Sequence, residues 1–419
     1  MKGGVSKTLL TFLGGSRGKA DAGYSETVYQ WGDGSTNTTD LFAEALLERW
    51  KPDRLVLIGT RTSAWDHLAV RINSPLYEDL IESCSESGKG ISDEEIFSLC
   101  NGLKTFWGLP VELFAHDSDL SNGNALKTLM FYVDCLERVP VDHELILDLS
   151  HGFRPMPVLL LSSIRYQQAL TPERRAQKVR IVYGEYGGKV SKVRNLDAIW
   201  EGMRVAESAR RWFEIFSAEE LCLELEGFWS EGARAIKDLG QAIQANDLQR
   251  ALSPIRALGG ALKRTPEESP AWFPDIFSKL HAFHHEIGLS NPAETYLALA
   301  RRLARNRLIG QAYLALDEAL IETVLGGRDR KELDWDEIRG SIRERLTGLG
   351  DWHPWMQEDL WKIHNCRNFI AHGGRKESVG PSTSRLKSED MHQNFNGLSQ
   401  SLEKVMHDPA SPLRLQKVS

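Results

Sequence analysis

The hydrophobic period changes once along this chain, near residue 197, and that change limits the architectures open to it. Before it lie five short apolar runs: "KTLLTFLG" (7–14), "DRLVLIG" (53–59), "VELFAH" (111–116), "HELILDLS" (143–150) and "VRIVYGEY" (179–186). Near-continuous runs of Val, Ile, Leu and Phe suit strands buried on both faces of a parallel sheet. Between them, "TTDLFAEALLERW", "DEEIFSLCNGLKTFW", "NALKTLMFYVDCLERV" and "MPVLLLSSIRYQQAL" have helical spacing, the first with Thr39 or Asp40 as its cap. Alternating strands and helices predict a doubly wound, Rossmann-like α/β domain over residues 1–197. "YSETVYQWGDGS" (24–35) interrupts the alternation as an inserted strand and turn.

From 198 to 419 the spacing is helical throughout, which predicts an all-α second half. "KRTPEESPAWFP" (263–274) and "GGRDRKELD" (326–334) read as joints between helices, and "GGRKESVGPSTSRLKSED" (373–390) as a long loop. Two domains suit 419 residues, which exceed one ordinary core. With 41% apolar and 26% charged residues the chain is expected to be soluble and globular. No apolar run approaches the roughly 20 residues that span a bilayer. "MKGGVSKTLLTFLGG" lacks a secretory apolar region, so no membrane partner is expected. Five cysteines without CxxC spacing fit a reducing cytoplasm and argue against a zinc ribbon. A net charge of −7 argues against coating duplex nucleic acid or holding DNA stably, but leaves room for a basic cleft that takes a single strand.

"KGGVSKT" resembles a deviant phosphate-binding loop, yet such a loop needs a strand before it and a helix after it. Here the strand follows, so a nucleotide triphosphatase is set aside. The strand ends are more informative, because open α/β sheets bind ligands beyond the carboxyl ends of their strands. "GGSRG" places Gly14, Gly15, Ser16 and Arg17 after the first strand, and "GTRTS" places Thr60 and Arg61 after the second. "SHGFRP" places Ser150, His151, Gly152, Phe153 and Arg154 after the fourth. Each has a plain alternative: a glycine turn, a core phenylalanine, a solvated arginine. Taken together they describe a pocket for an anionic ligand with hydrogen-bonding edges. Without an acidic dyad or metal cluster, it suits binding more than metal chemistry.

"LLTFLGG", "PDRLVLIGTRTS", "LILDLSHGFRPMPVLLL" and "VRIVYGEY" resemble, in order and style, the CARF domains that sense cyclic oligoadenylates in type III CRISPR systems. The likeness covers most of residues 5–197, with D-x-S-H-G-F-R-P as its most specific part. It implies that two such domains pair about a two-fold axis, with a ring of 3′,5′-linked adenylates lying across the interface. Gly14 to Arg17, Thr60 and Ser150 to Arg154 fall where that family contacts its ligand. Cyclic tetra-adenylate is the expected ring.

In the second half, "CRNFIAHGG" sets Arg367 and His372 five positions apart. With 32 Arg and 12 His among 419 residues, that spacing arises by chance about once, and Arg138 to His143 in "RVPVDH" is such a copy, broken by Pro140. On a helix through 357–371, Leu360, Ile363, Arg367 and Ile370 share one face. An arginine there needs a partner or a cleft, since burying it unpaired is unfavourable. His372, just before two glycines, also reads as a residue set against the helix C-terminal dipole.

An all-α half bearing R-N-x-x-x-H resembles a HEPN ribonuclease domain behind a helical linker, and CARF–HEPN fusions are a known effector arrangement. The resemblance implies a homodimer or higher even oligomer in which two such helices build one composite site. It also implies metal-independent cleavage of single-stranded RNA, with no cofactor beyond the activating ring. The 2′-hydroxyl attacks its own phosphate and leaves a 2′,3′-cyclic phosphate. His372, with an ordinary pKa of roughly 6.5, serves as general base or acid, Arg367 holds the phosphate, and Asn368 orients its neighbours. The other reading is a non-catalytic sensor whose helices relay binding to a partner. Outside this motif, His281 and His285 stand i, i+4 and can share a metal or simply line a helix. "RRLARNR" (301–307) can steer RNA or be a solvated face, and Glu318 is placed on a neighbouring helix.

Overall fold

The computed structural model describes residues 5–15, 24–119, 121, 123–151, 155–175, 177–185, 190–326, 328, 332–350, 354–371, 388–411 and 413. The chain divides into two compact units, Met1–Glu201 and Gly202–Ser419. The division falls inside one helix, Asp197–Ile215.

The first unit is built on one eight-stranded sheet. Its strands are β1 (Lys7–Phe12), β2 (Thr27–Gln30), β3 (Thr36–Thr39), β4 (Arg54–Thr60), β5 (Val111–His116), β6 (Glu144–Asp148), β7 (Val179–Glu185) and β8 (Val190–Asn195). They lie in the order β3-β2-β8-β7-β6-β1-β4-β5. From β5 through β4, β1 and β6 to β7 every pairing is parallel. The chain steps outward from β1 to β4 and β5, then returns to the other side of β1 for β6 and β7. The strand order therefore reverses between β1 and β6, the position where doubly wound sheets open a crevice.

Both faces of this parallel block carry buried residues, which is why its strands read as near-continuous apolar runs. Leu9, Leu55, Leu57 and Leu113 point to one face, against Phe42, Leu46, Trp65 and Leu99 from the helices between β3 and β5. Their neighbours Leu10, Val56, Ile58 and Leu147 point to the other, against Tyr132, Leu136, Leu160 and Ile164. The interruption at 24–35 is a hairpin of β2 and β3, with Gly34 at φ +85° in its turn. It joins β8 at the sheet edge. Thr39 caps no helix: it ends β3, its hydroxyl accepts from Leu41 N at 3.1 Å, and the helix Phe42–Trp50 starts without a side-chain cap.

The second unit is helical throughout its described residues, around one core running from Val205 to Leu413. The Pro-rich joint falls between the helices Leu252–Ala261 and Phe273–Ile287, and the Gly326 joint between Ile309–Leu325 and Trp335–Gly350. The helix Ile309–Leu325 is buried on nearly every side, packing on Pro292–Arg305, Trp335–Gly350, Pro354–Ala371 and Ser388–His407. Among the described residues no helix is long and apolar enough to cross a membrane.

Candidate functional site

The three turns singled out in the first unit leave three adjacent strands, β4, β1 and β6, at the same edge of the sheet. Two of them are tied to each other. Ala64 N donates to Gly14 O at 2.9 Å, Gly15 and Ser63 form an antiparallel bridge, and Ser63 Oγ donates to Leu13 O at 3.2 Å. Thr60 is 5% exposed; its N–H donates to Ser63 Oγ at 2.9 Å and its hydroxyl lies 3.1 Å from the same atom. Arg61 faces elsewhere: Nη1 donates to Ile91 O at 2.9 Å and to Asp93 Oδ1 at 3.2 Å, and Nε lies 3.6 Å from Asp117. Ser16 and Arg17 lie outside the described residues.

The turn after β6 is organised by Asp148, which is fully buried. Its Oδ2 accepts from Thr11 Oγ1 of β1 at 2.6 Å and its Oδ1 from Ser150 N at 2.7 Å. Burial, with the Asp148 charge adding to it, pushes the nearby Tyr29 phenol up to about 12. Ser150 Oγ in turn accepts from Gly184 N of β7 at 2.6 Å, a close approach in which a Cβ at 184 would sit 3.2 Å from that oxygen. His151 packs edge-on against Phe42, centroids 5.5 Å apart. Its Nε2 is buried without a hydrogen-bond partner among the described residues. Gly152, Phe153 and Arg154 lie outside them.

In the second unit, Leu360, Ile363 and Cys366 of the helix Pro354–Ala371 are buried, and Ile370 packs against the same core. Arg367 lies beside that stripe with its side chain 29% exposed, and one of its partners is Asp317 of the helix Ile309–Leu325. Asp317 is 1% exposed; Oδ2 faces Arg367 Nε at 3.7 Å and Oδ1 accepts from His364 Nδ1 at 2.9 Å. Burial, with Asp317 adding to it, pushes the Cys366 thiol up to about 12, so it stays a neutral packing residue. Sequence reasoning named Glu318 on this neighbouring helix and passed over Asp317 and His364. A carboxylate inside the apolar run "AYLALDEAL" was the available signal. His372 and the side chain of Asn368 lie outside the described residues.

The competing motifs have local explanations. The Arg138 guanidinium lies 5.6 Å over the Phe114 ring, and His143 Nδ1 shares a 2.9 Å hydrogen bond with Thr8 Oγ1. In the basic run, Arg301 holds Glu403 through two bonds of 2.9 and 2.8 Å, while Arg302 and Arg305 share Glu286. His281 lies edge-on to Phe277, and His284 is wedged where a Cβ on Gly259 or Gly288 would clash. Among the described residues no three His, Cys, Asp or Glu are grouped to hold a metal.

Residues 8–186 match the family model described as "CRISPR system endoribonuclease Csx1, CARF domain". The first unit is a CARF domain. The match ends before the helical unit begins. No curated protein matches the sequence. Among solved structures, Enterococcus italicus Csm6 bound to cyclic hexa-2'-fluoro-hexa-dAMP aligns at 12% identity over 95% of this chain and 93% of that one. Its TM-score of 0.40 is too low for that alignment to bear on function. Within the CARF domain the sheet gathers Gly14, Gly15, Thr60, Ser150 and His151 at neighbouring strand ends, while Arg61 is engaged on the β5 side.

Proposed function

We propose that the chain is a cyclic-oligoadenylate-activated, metal-independent endoribonuclease of type III CRISPR defence. The observation that carries the first half of this reading is the crevice at the β1/β6 reversal. Three turns bearing hydroxyls and glycines leave neighbouring strand ends there, beside the ring nitrogen of His151 that has no hydrogen-bond partner among the described residues. A buried polar atom without a partner is unfavourable, and the edge of an adenine or a ribose hydroxyl would satisfy it. Backbone N–H groups at the turns suit phosphates. The ring expected there is cyclic tetra-adenylate.

The catalytic half rests on "RNFIAH" at the end of the Pro354–Ala371 helix. Arg367 emerges beside the apolar stripe and is braced by a buried carboxylate, so its charge is aimed. At the scissile phosphate it would offset the charge that grows as the 2′-hydroxyl attacks. His372 would take the proton of that hydroxyl or supply one to the leaving 5′-oxygen, yielding a 2′,3′-cyclic phosphate. Asn368 would orient both. DNA, without the 2′-hydroxyl, would not be cut. A homodimer or higher even oligomer would bring two copies of the motif to one phosphate.

The test is electrophoresis of labelled RNA incubated with the protein and cyclic oligoadenylates of each ring size, with a chelator present. His372→Ala is expected to abolish cleavage and leave oligoadenylate affinity unchanged. Cleavage that survives this substitution would remove the assigned site. Binding without turnover at any ring size would make the chain a sensor that signals to a partner.

A further inference from the structure

We infer that Asp317 and His364 are positioning residues that aim Arg367, an assignment that rests on the ribonuclease reading above. Asp317 sits in the most buried helix of the unit, among Tyr313, Leu314, Leu316 and Leu320. A carboxylate in such surroundings is unfavourable unless its charge is matched, so its partners indicate what it does there. Its two oxygens act differently. Oδ1 accepts the Nδ1 proton of His364 at 2.9 Å, which fixes how the carboxylate plane is turned. Oδ2 is thereby directed at Arg367 Nε, at 3.7 Å. His364 and Arg367 are one turn apart on one helix face, so a single carboxylate reaches both.

Where this unit uses an arginine to join two helices, as with Arg301 and Glu403, the fork makes two bonds of 2.9 and 2.8 Å. At 3.7 Å the contact between Asp317 Oδ2 and Arg367 Nε has the attraction of an ion pair at more than hydrogen-bond length. Such a carboxylate orients the guanidinium by charge. Catalytic groups work when neighbours that never touch the substrate hold them in place. His364 matters through its donor, because removing that bond frees the carboxylate to rotate.

The experiment measures kcat and KM for RNA cleavage, activator affinity and melting temperature in the full chain. The proteins are wild type, Asp317→Asn, His364→Asn and His364→Leu. Asparagine at 364 keeps an N–H donor near the position of Nδ1; leucine fills similar space without one. Asp317→Asn and His364→Leu are expected to lower kcat roughly 10- to 100-fold, with KM within about twofold and activator affinity unchanged. His364→Asn is expected to recover most of that loss. Wild-type kinetics in Asp317→Asn or His364→Leu would overturn the assignment while leaving the ribonuclease reading intact. So would equal losses in His364→Asn and His364→Leu that follow their melting temperatures. No cleavage by wild type would overturn both. If Asp317→Asn does not fold, the His364 pair decides alone.

Discussion

Asp148 carries more of the CARF domain's crevice than any residue that would touch a ligand. It links β1 to the turn after β6 through one hydroxyl and one backbone N–H, both donating to a carboxylate with no access to water. Asp148→Ala would leave the buried Thr11 hydroxyl and the Ser150 N–H unsatisfied. Each such loss is worth about 1–3 kcal/mol, so the expected destabilisation of the first unit is about 3 kcal/mol. Thermal unfolding would register it, together with a loss of oligoadenylate affinity as the turn loosens. "DLSHGFRP" stands out in the sequence as a candidate ligand turn from its crowding of His, Phe and Arg in one loop. The internal role of its aspartate does not, because Thr11 is 137 positions away in sequence. The same limit hid Asp317 and His364, which are separated by 47 positions and meet only when two helix faces pair. Arg367 was legible as an arginine in need of a partner, since its place at the margin of the apolar stripe follows from helical spacing.

Elements with two buried faces announced themselves, and elements with one did not. β1, β4, β5, β6 and β7 lie inside the sheet or under helices, and their sequences are near-continuous apolar runs. β3 reads "TNTT" and β8 "VSKVRN", too polar to stand out from loops. Only their pairing with β2 and β7 makes them strands. The join between β5 and the helix Asn124–Glu137 carries a pH dependence of its own. His116 ends β5, with Nδ1 donating to Asp117 O at 2.7 Å and Nε2 accepting from Tyr132 Oη at 3.0 Å. Burial holds its imidazole below the usual value, with the Asp117 carbonyl opposing that shift. The folded state thus keeps His116 neutral while the unfolded chain protonates near the ordinary value of about 6.5. Its contribution to stability is complete above that pH and is lost as pH falls toward the depressed folded value. The first unit's melting temperature should drop between pH 7 and pH 5, and His116→Gln should flatten that drop in a calorimetric series.

At the scale of the molecule, charge arrangement says more than the net value of −7. The run "RRLARNR" can be read as steering RNA or as a solvated face, and three of its four arginines are answered by Glu286 and Glu403. Their positive potential is cancelled within a few ångströms, so the strip offers little long-range attraction to a polyanion. Raising salt from 50 to 200 mM should change KM for RNA by less than about tenfold. A protein making six or more phosphate contacts would instead lose about a thousandfold. Filter binding across a salt series would separate the two. An arginine strip held by its own glutamates also governs what happens before any activator arrives. An RNA that brushes this helix would find three of its charges already answered.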